Sequence, residues 1–285
     1  MPAMRVLVAG SAGQLGRALV ERLGSRVVWA GGRDALDVRD EAAVRARVAD
    51  ARPDVVVNAT AYNMVDRAEA EPDEAMAVNE AGPRHLAVAA AEAGALVVHV
   101  STNFVFDGAL RRPYTEDDPV RPLSAYGLSK RAGEVAVMSA GGPHLVVRTS
   151  ALFGHGGNRA KGGNFVDRIL AGARSGAPLR VVNDQEISTT YVPDLAAALV
   201  ALVEADGRGI FHVVNEGSCT WHALAVEALR QAGVDAPVQA VTSEELAAPA
   251  RRPRYSVLST EKYRSRGLPP LREWRAALAD HLANV

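Results

Sequence analysis

The chain has 285 residues, 48% hydrophobic and 23% charged, with a formal net charge of −1; this suits one large α/β domain, or a large one with a small companion, and favours neither nucleic acid nor an anionic membrane surface as partner. Cys219 is the sole cysteine, which excludes an intramolecular disulfide and a cysteine-based metal cluster. No stretch reaches the ~18 apolar residues of a membrane span, and Met1-Pro2-Ala3-Met4 leads into a strand pattern without a cationic, apolar leader, so the expected location is cytoplasmic.

The apolar run Met4-Arg5-Val6-Leu7-Val8-Ala9 reads as a buried parallel strand. Gly10-Ser11-Ala12-Gly13-Gln14-Leu15-Gly16 follows, then a helix pattern from Arg17. Strand, glycine turn and helix is the context in which a backbone can approach a pyrophosphate at a helix N-terminus. A second strand is expected over residues 25–30, left by Gly31-Gly32-Arg33-Asp34. An acidic residue at that place would bind ribose hydroxyls and select NAD. Arg33 stands near it instead, either pairing with a 2′-phosphate, which favours NADP, or solvated in its loop. Asp37 either accepts a hydrogen bond from the adenine amine or caps a helix over residues 41–50.

Asp54-Val55-Val56-Val57-Asn58 is a third strand, ending in the small residues Ala59-Thr60-Ala61. A helix is expected over residues 66–77, with Asn79 just beyond, and a second over 83–94. The run from Leu96 to Val100 ends at Ser101-Thr102-Asn103. Four strands alternating with helices predict a doubly wound parallel sheet, with ligands beyond the C-terminal strand ends. Gly10, Ala59 and Thr102 all fall there.

The loop to Pro122 leads into a helix carrying Tyr126-Gly127-Leu128-Ser129-Lys130. Tyr and Lys four apart share a helix face. A phenol beside an ammonium is a proton donor that the cation makes easier to ionise. Thr102 would hold a carbonyl oxygen against it, so the three suit hydride reduction of a ketone.

A strand over 144–148 exits at Thr149-Ser150-Ala151. The Gly-rich loop 155–163 offers His155 for substrate and Arg159 or Lys161 for a phosphate. Later elements are expected over 164–173, 179–182, 191–204, 210–214, from 220, and over 238–241, 251–258 and 271–282, as a smaller lobe interleaved with the last strands of the sheet. The seven histidines show no metal-ligand spacing. His85 reads as packing or surface, and His99 as a core histidine. Gly-x-Ser-x-Gly is absent, against an α/β-hydrolase. Asp107 and Glu116 could pass for a glycosidase pair, but on the wrong fold pattern.

Together these motifs resemble the extended short-chain dehydrogenase/reductases, and within them the dTDP-4-dehydrorhamnose reductase family. The resemblance spans nearly the whole chain. It rests on Gly10-x-x-Gly13-Gln14-Leu15-Gly16, Val57-Asn58-Ala59-Thr60-Ala61, Ala68-Glu69-x-Glu71-Pro72, Ser101-Thr102, Tyr126-x-x-x-Lys130-x-x-Gly133-Glu134, Asn183-Asp184-Gln185 and Arg252-Pro253-x-x-Ser256-x-Leu258. It implies a Rossmann-type parallel sheet with an NAD(P)-binding part, mainly 1–150, and a C-terminal substrate-binding lobe, mainly 151–285. The implied reaction is NADPH-dependent reduction of the 4-keto group of a dTDP-4-keto-6-deoxyhexose, with NAD as the alternative cofactor.

The resemblance assigns Thr102, Tyr126 and Lys130 to catalysis. Gly13, Gln14, Leu15, Asp37, Val38, Ala59, Thr60 and Ala61 would contact the cofactor, beside Gly10, Ser11 and Arg33 from the turn and the second strand's exit, and beside Tyr126 and Lys130, the latter on the nicotinamide ribose. Thr102, Asn103, Tyr126 and Ala151 would face the nucleotide sugar. Asn103 stands where the family has Asp, Ala151 where a Trp packs on the substrate, and Thr189 where Pro is common. A homodimer is common in the family, and no carboxylate cluster compels a metal. Two other functions compete: a non-catalytic NADP-binding regulatory subunit, and a nucleotide-sugar epimerase or dehydratase.

Overall fold

The computed structural model describes residues 4–156 and 162–284; Arg159 and Lys161 lie outside them. β1 (Val6–Ala9), α1 (Gln14–Leu23), β2 (Val27–Gly31), α2 (Glu41–Ala51) and β3 (Val55–Asn58) open the chain. A long helix follows in three pieces: α3 (Pro72–Met76), a π-helical turn (Ala77–Ala81) and α4 (Gly82–Glu92). Then come β4 (Leu96–Thr102), α5 (Ala125–Met138), β5 (His144–Thr149), β6 (Leu152–Phe153), α6 (Phe165–Arg174), β7 (Leu179–Val182), β8 (Glu186–Ile187) and β9 (Thr190–Tyr191). The chain closes through α7 (Val192–Glu204), β10 (Gly209–His212), β11 (Cys219–Thr220), α8 (Trp221–Gln231), β12 (Val238–Val241), α9 (Ser243–Leu246), β13 (Tyr255–Ser256), α10 (Glu261–Arg264) and α11 (Trp274–Leu282).

The main sheet has the order β10-β5-β4-β3-β1-β2, with every pair parallel. Its central strands are buried on both faces, which is why they read as unbroken apolar runs. Alternate side chains go to opposite faces. Val6 and Val8 pack with Leu19 of α1 and Leu195 and Leu199 of α7. Leu7 packs with Val44 of α2 and Leu86 of α4 on the other side. Thus α7 and β10, from the later half, complete the layers of the first half. A separate core joins Phe153, Ile169, Leu224, Trp274 and Leu278. The smaller sheets are β11-β8-β13, β12-β7 and β6-β9.

Several expected boundaries change. The helix expected over 66–77 is a 3-10 turn, Arg67–Glu69, followed by α3 with Pro72 at its first position. The gap expected before Pro83 is absent: the π turn widens the helix just where Pro83 lacks a donor, so α3 runs on into α4. Asn79 lies inside that turn. Asp40, not Asp37, caps α2, accepting from Ala43 N at 3.0 Å. The second strand starts at Val27 and includes Gly31. The strand over 251–258 shrinks to Tyr255–Ser256, and the helix over 271–282 starts at Trp274. No helix among the described residues is long and apolar enough to cross a membrane.

Candidate active site

The glycine turn is shaped by contact with backbone on two sides. Gly10 adopts φ +90°, and the N–H groups of Gly10 and Ser11 donate to Gly31 O at 2.8 and 3.1 Å. A Cβ on Gly10 would stand 2.8 Å from Ala59 C and O; one on Gly16 would stand 2.2 Å from Gly10 O. Gly13 caps α1 with no side-chain hydrogen bond, so the first N–H groups of a ten-residue helix face out. Gln14 Oε1 is buried with no partner among the described residues. A closely approached backbone and open helix donors fit a dinucleotide pyrophosphate. Leu15 joins this cradle by its backbone alone, since its side chain is in the core.

At the exit of β2 the charges are shared. Arg39 Nε lies 2.9 Å from Asp37 Oδ1, and its Nη1 lies 3.0 Å from both oxygens of Glu74. This guanidinium holds the Asp37 carboxyl down at about 2. Arg33 is two-thirds exposed, 3.9 Å from Asp37 and 3.7 Å from Glu74. Its guanidinium is the one turned outward here. Arg39 escaped the sequence reading because nothing in its local pattern separates it from a surface arginine. Val38 is buried in the core, and its carbonyl accepts from His85 Nδ1 at 2.9 Å.

Beyond β3, Asn58 Oδ1 accepts from Thr60 N at 3.0 Å and from Thr60 Oγ1 at 2.6 Å. Asn58 Nδ2 therefore donates to His99 Nδ1, 3.1 Å away. The His99 proton is then on Nε2. Burial and the Lys130 charge push this histidine well below its usual range, so it is neutral. Asn79 grips the next residue from both sides: Tyr62 N donates to its Oδ1 and its Nδ2 donates to Tyr62 O, both at 2.9 Å. It also reaches Ser129 Oγ on α5 at 3.0 Å. The π turn thus links the Ala59–Thr60–Ala61 segment to the helix that carries Tyr126.

Thr102 ends β4, and its Oγ1 accepts from Phe104 N at 3.2 Å. Ser124 caps α5 through Gly127 N at 3.2 Å. That cap puts Tyr126 in the first turn, buried, its ring edge-on to Phe104 with centroids 5.5 Å apart. Burial pushes the phenol up to about 12, and Thr102 opposes that rise. Lys130 Nζ donates to Val100 O at 2.7 Å. Burial lowers Lys130 to about 8, against the pull of Glu134. The expected helix face is therefore present, but its electrostatics differ: the ammonium turns to a backbone carbonyl, and Thr102 is the group that offsets the burial of the phenol.

Asn103 is almost fully buried, and its Nδ2 donates to Ser256 Oγ on β13 at 2.7 Å. Its Oδ1 accepts from Thr102 Oγ1 at 3.2 Å. It ties the end of β4 to the later half of the chain instead of presenting an open polar group. Loss of that tie in Ser256→Ala is expected to cost about 1 kcal/mol of stability, read from urea melts; an unchanged midpoint would contradict it. Ala151 is half-buried with φ +41°. Thr189 Oγ1 is buried without a partner among the described residues. His155 Nε2 lies 3.3 Å from the Tyr191 hydroxyl. Asp107 accepts from Tyr114 OH at 2.8 Å, and Glu116 from His212 N at 2.7 Å, so both carboxylates brace loops. No group of three metal-ligating side chains occurs among the described residues.

Comparison with known proteins shows the family. The family model described as RmlD substrate binding domain matches residues 4–285. A dTDP-4-dehydrorhamnose reductase of Streptomyces griseus is 46% identical over 98% of this chain and 93% of its own. A dTDP-4-keto-6-deoxy-D-glucose reductase of Streptomyces niveus is 39% identical over 96% of this chain and 95% of its own. Among solved structures, a Clostridium acetobutylicum dTDP-4-dehydrorhamnose reductase superposes with a TM-score of 0.94 at 36% identity, over 99% of both chains. The Bacillus anthracis enzyme in complex with NADP gives 0.94 at 34%, again over 99% of both. The chain belongs to the dTDP-4-dehydrorhamnose reductase family of NAD(P)-dependent oxidoreductases.

Proposed function

We propose that this protein reduces the C4 ketone of a dTDP-4-keto-6-deoxyhexose at the expense of NADPH. The observation that carries the reading is the buried Tyr126, in the first turn of α5, brought to the strand end that carries Thr102, at the same sheet edge as the glycine turn. The backbone N–H groups of Gln14 and Leu15 at the start of α1 would hold the pyrophosphate, Gly10, Ser11 and Gly13 would shape the turn that lets it approach, and the Asn58–Thr60 link would shape the floor below it. Bound NADPH would supply the hydride to C4. Thr102 would hold the ketone oxygen, and Tyr126 would give that oxygen its proton as the alkoxide forms. A phenol pushed up to about 12 keeps its proton at neutral pH and is available as the acid. Lys130 would steady the resulting phenolate. In this reading the cofactor part, mainly 1–150, also includes α7 and β10, and the rest of 151–285 receives the sugar nucleotide.

The test is NADPH oxidation with a dTDP-4-keto-6-deoxyhexose generated enzymatically in the same vessel. Turnover supports the reading; its absence, with NADPH bound, overturns it. Two further results are expected. Lys130 is charged below about 8 and neutral above, so kcat should fall as pH rises through that value; a flat profile there would remove Lys130 from the reaction. Arg33→Ala should weaken NADPH on the order of tenfold while sparing NADH, because a guanidinium facing a phosphate makes charge-assisted bonds. Equal loss for both cofactors would show that Arg33 does not read the 2′-phosphate.

A further inference from the structure

Tyr126, Lys130 and Glu134 stand four residues apart on α5, one stripe of the helix turned toward β4. Each reaches a different point of that strand. The Tyr126 hydroxyl meets Thr102, Lys130 Nζ meets Val100 O at 2.7 Å, and Glu134 Oε1 accepts from Ser101 Oγ at 2.6 Å. Glu134 is fully buried. It also accepts from Arg148 Nε and Nη2, each at 2.8 Å, and from Arg131 Nη1 at 2.9 Å. Arg148 stands opposite Ser101 in the β4–β5 ladder, one step before the Thr102–Thr149 pair.

A buried carboxylate–guanidinium pair gains little net stability over apolar packing of the same volume, since desolvation offsets the attraction. What it does specify is position. A helix packed on a sheet can slide along it, and a carboxylate with four hydrogen bonds stops it. We propose that Glu134 is a positioning residue for the reduction, holding α5 along β4 so that Tyr126 meets the strand end that carries Thr102. The proposal rests on the reductase reading above.

Glu134 acts on charge as well. The charged and titratable groups that act on or feel Lys130 are Glu134 from its own helix and His99 from β4, which is neutral. Those facing Glu134 are Ser101 from β4, Arg131 from α5, Arg148 from β5 and His212 from β10, the last also neutral because burial pushes it down to about 3. Glu134 is therefore the anion that favours the ammonium form of Lys130 against burial.

The two effects separate by mutation. Ser101→Ala removes the strand bond and keeps the charge. It should lower kcat about tenfold, leave KM for the keto sugar within about twofold, and leave the alkaline limb of the pH profile in place. Glu134→Gln alone leaves Arg148 buried without its counter-charge, so the decisive variant is Glu134→Gln paired with Arg148→Met. With folding verified by circular dichroism, it should lower kcat and move the alkaline limb down by about one pH unit. Glu134→Asp should put the limb back without restoring kcat. Wild-type kcat and limb in Ser101→Ala and in the paired variant would overturn the proposal alone. A wild-type protein that turns over no keto sugar would overturn the reductase reading and this proposal with it.

Discussion

Tyr126→Phe is expected to lower kcat about a thousandfold while NADPH binding survives, because a positioned acid contributes roughly two to four powers of ten. The substitution removes one oxygen and keeps the ring, so the edge-on contact with Phe104 remains. Thr102 keeps its bonds to Asn103 and to Phe104 N, so the end of β4 stays in place. The glycine turn is untouched. Steady-state turnover should collapse while NADPH still raises the melting temperature by mass action. A variant within about tenfold of wild type would exclude Tyr126 as the acid.

The second large effect is expected at Gly16. A methyl group there would lie 2.2 Å from Gly10 O, 2.6 Å from Ser11 Cα and 2.7 Å from Gly10 C. All three are backbone atoms of the same turn, so no side chain can rotate away. Either α1 retreats from β1 or the turn opens. Gly16→Ala should therefore cost about 3 kcal/mol in stability, the upper range for overpacking a filled site. NADPH should bind more than about a hundredfold more weakly, since pyrophosphate recognition depends on close backbone approach. Urea melts and a fluorescence titration with NADPH read the two separately. Wild-type affinity in a folded variant would show that the turn is not the phosphate cradle.

The parts of this fold that were legible in the sequence are those fixed by local chemistry. Val6–Ala9, Val55–Asn58 and Leu96–Thr102 are apolar because both faces are covered, and each was expected within a residue or two. Tyr126 and Lys130 share a stripe because Ser124 starts the helix just before them. The two-residue strands β6, β8, β9 and β11 were not legible, because pairing partners distant in sequence create them. The π turn carries no composition signal of its own; Gly82-Pro83 reads as a break until the widened turn is seen to absorb it. Asp37 was the candidate cap, but Arg39 engages it and Asp40 caps α2 instead. Asn103 is the clearest case. Its partner Ser256 is 153 residues away, so no local pattern could show the bond that fastens it to the later half of the chain.

The path of α7 and β10 through the first-half layers bears on how such enzymes can be recombined. A chimaera with its crossover at residue 150 would import a foreign α7 against the resident α1 and a foreign β10 against the resident β5. It would also replace Ser256 beneath Asn103 and Leu258 beside Tyr114, two seams the recipient half cannot repair alone. Recombination between relatives is therefore expected to succeed where these seams stay in their original pairs, and not where halves are traded.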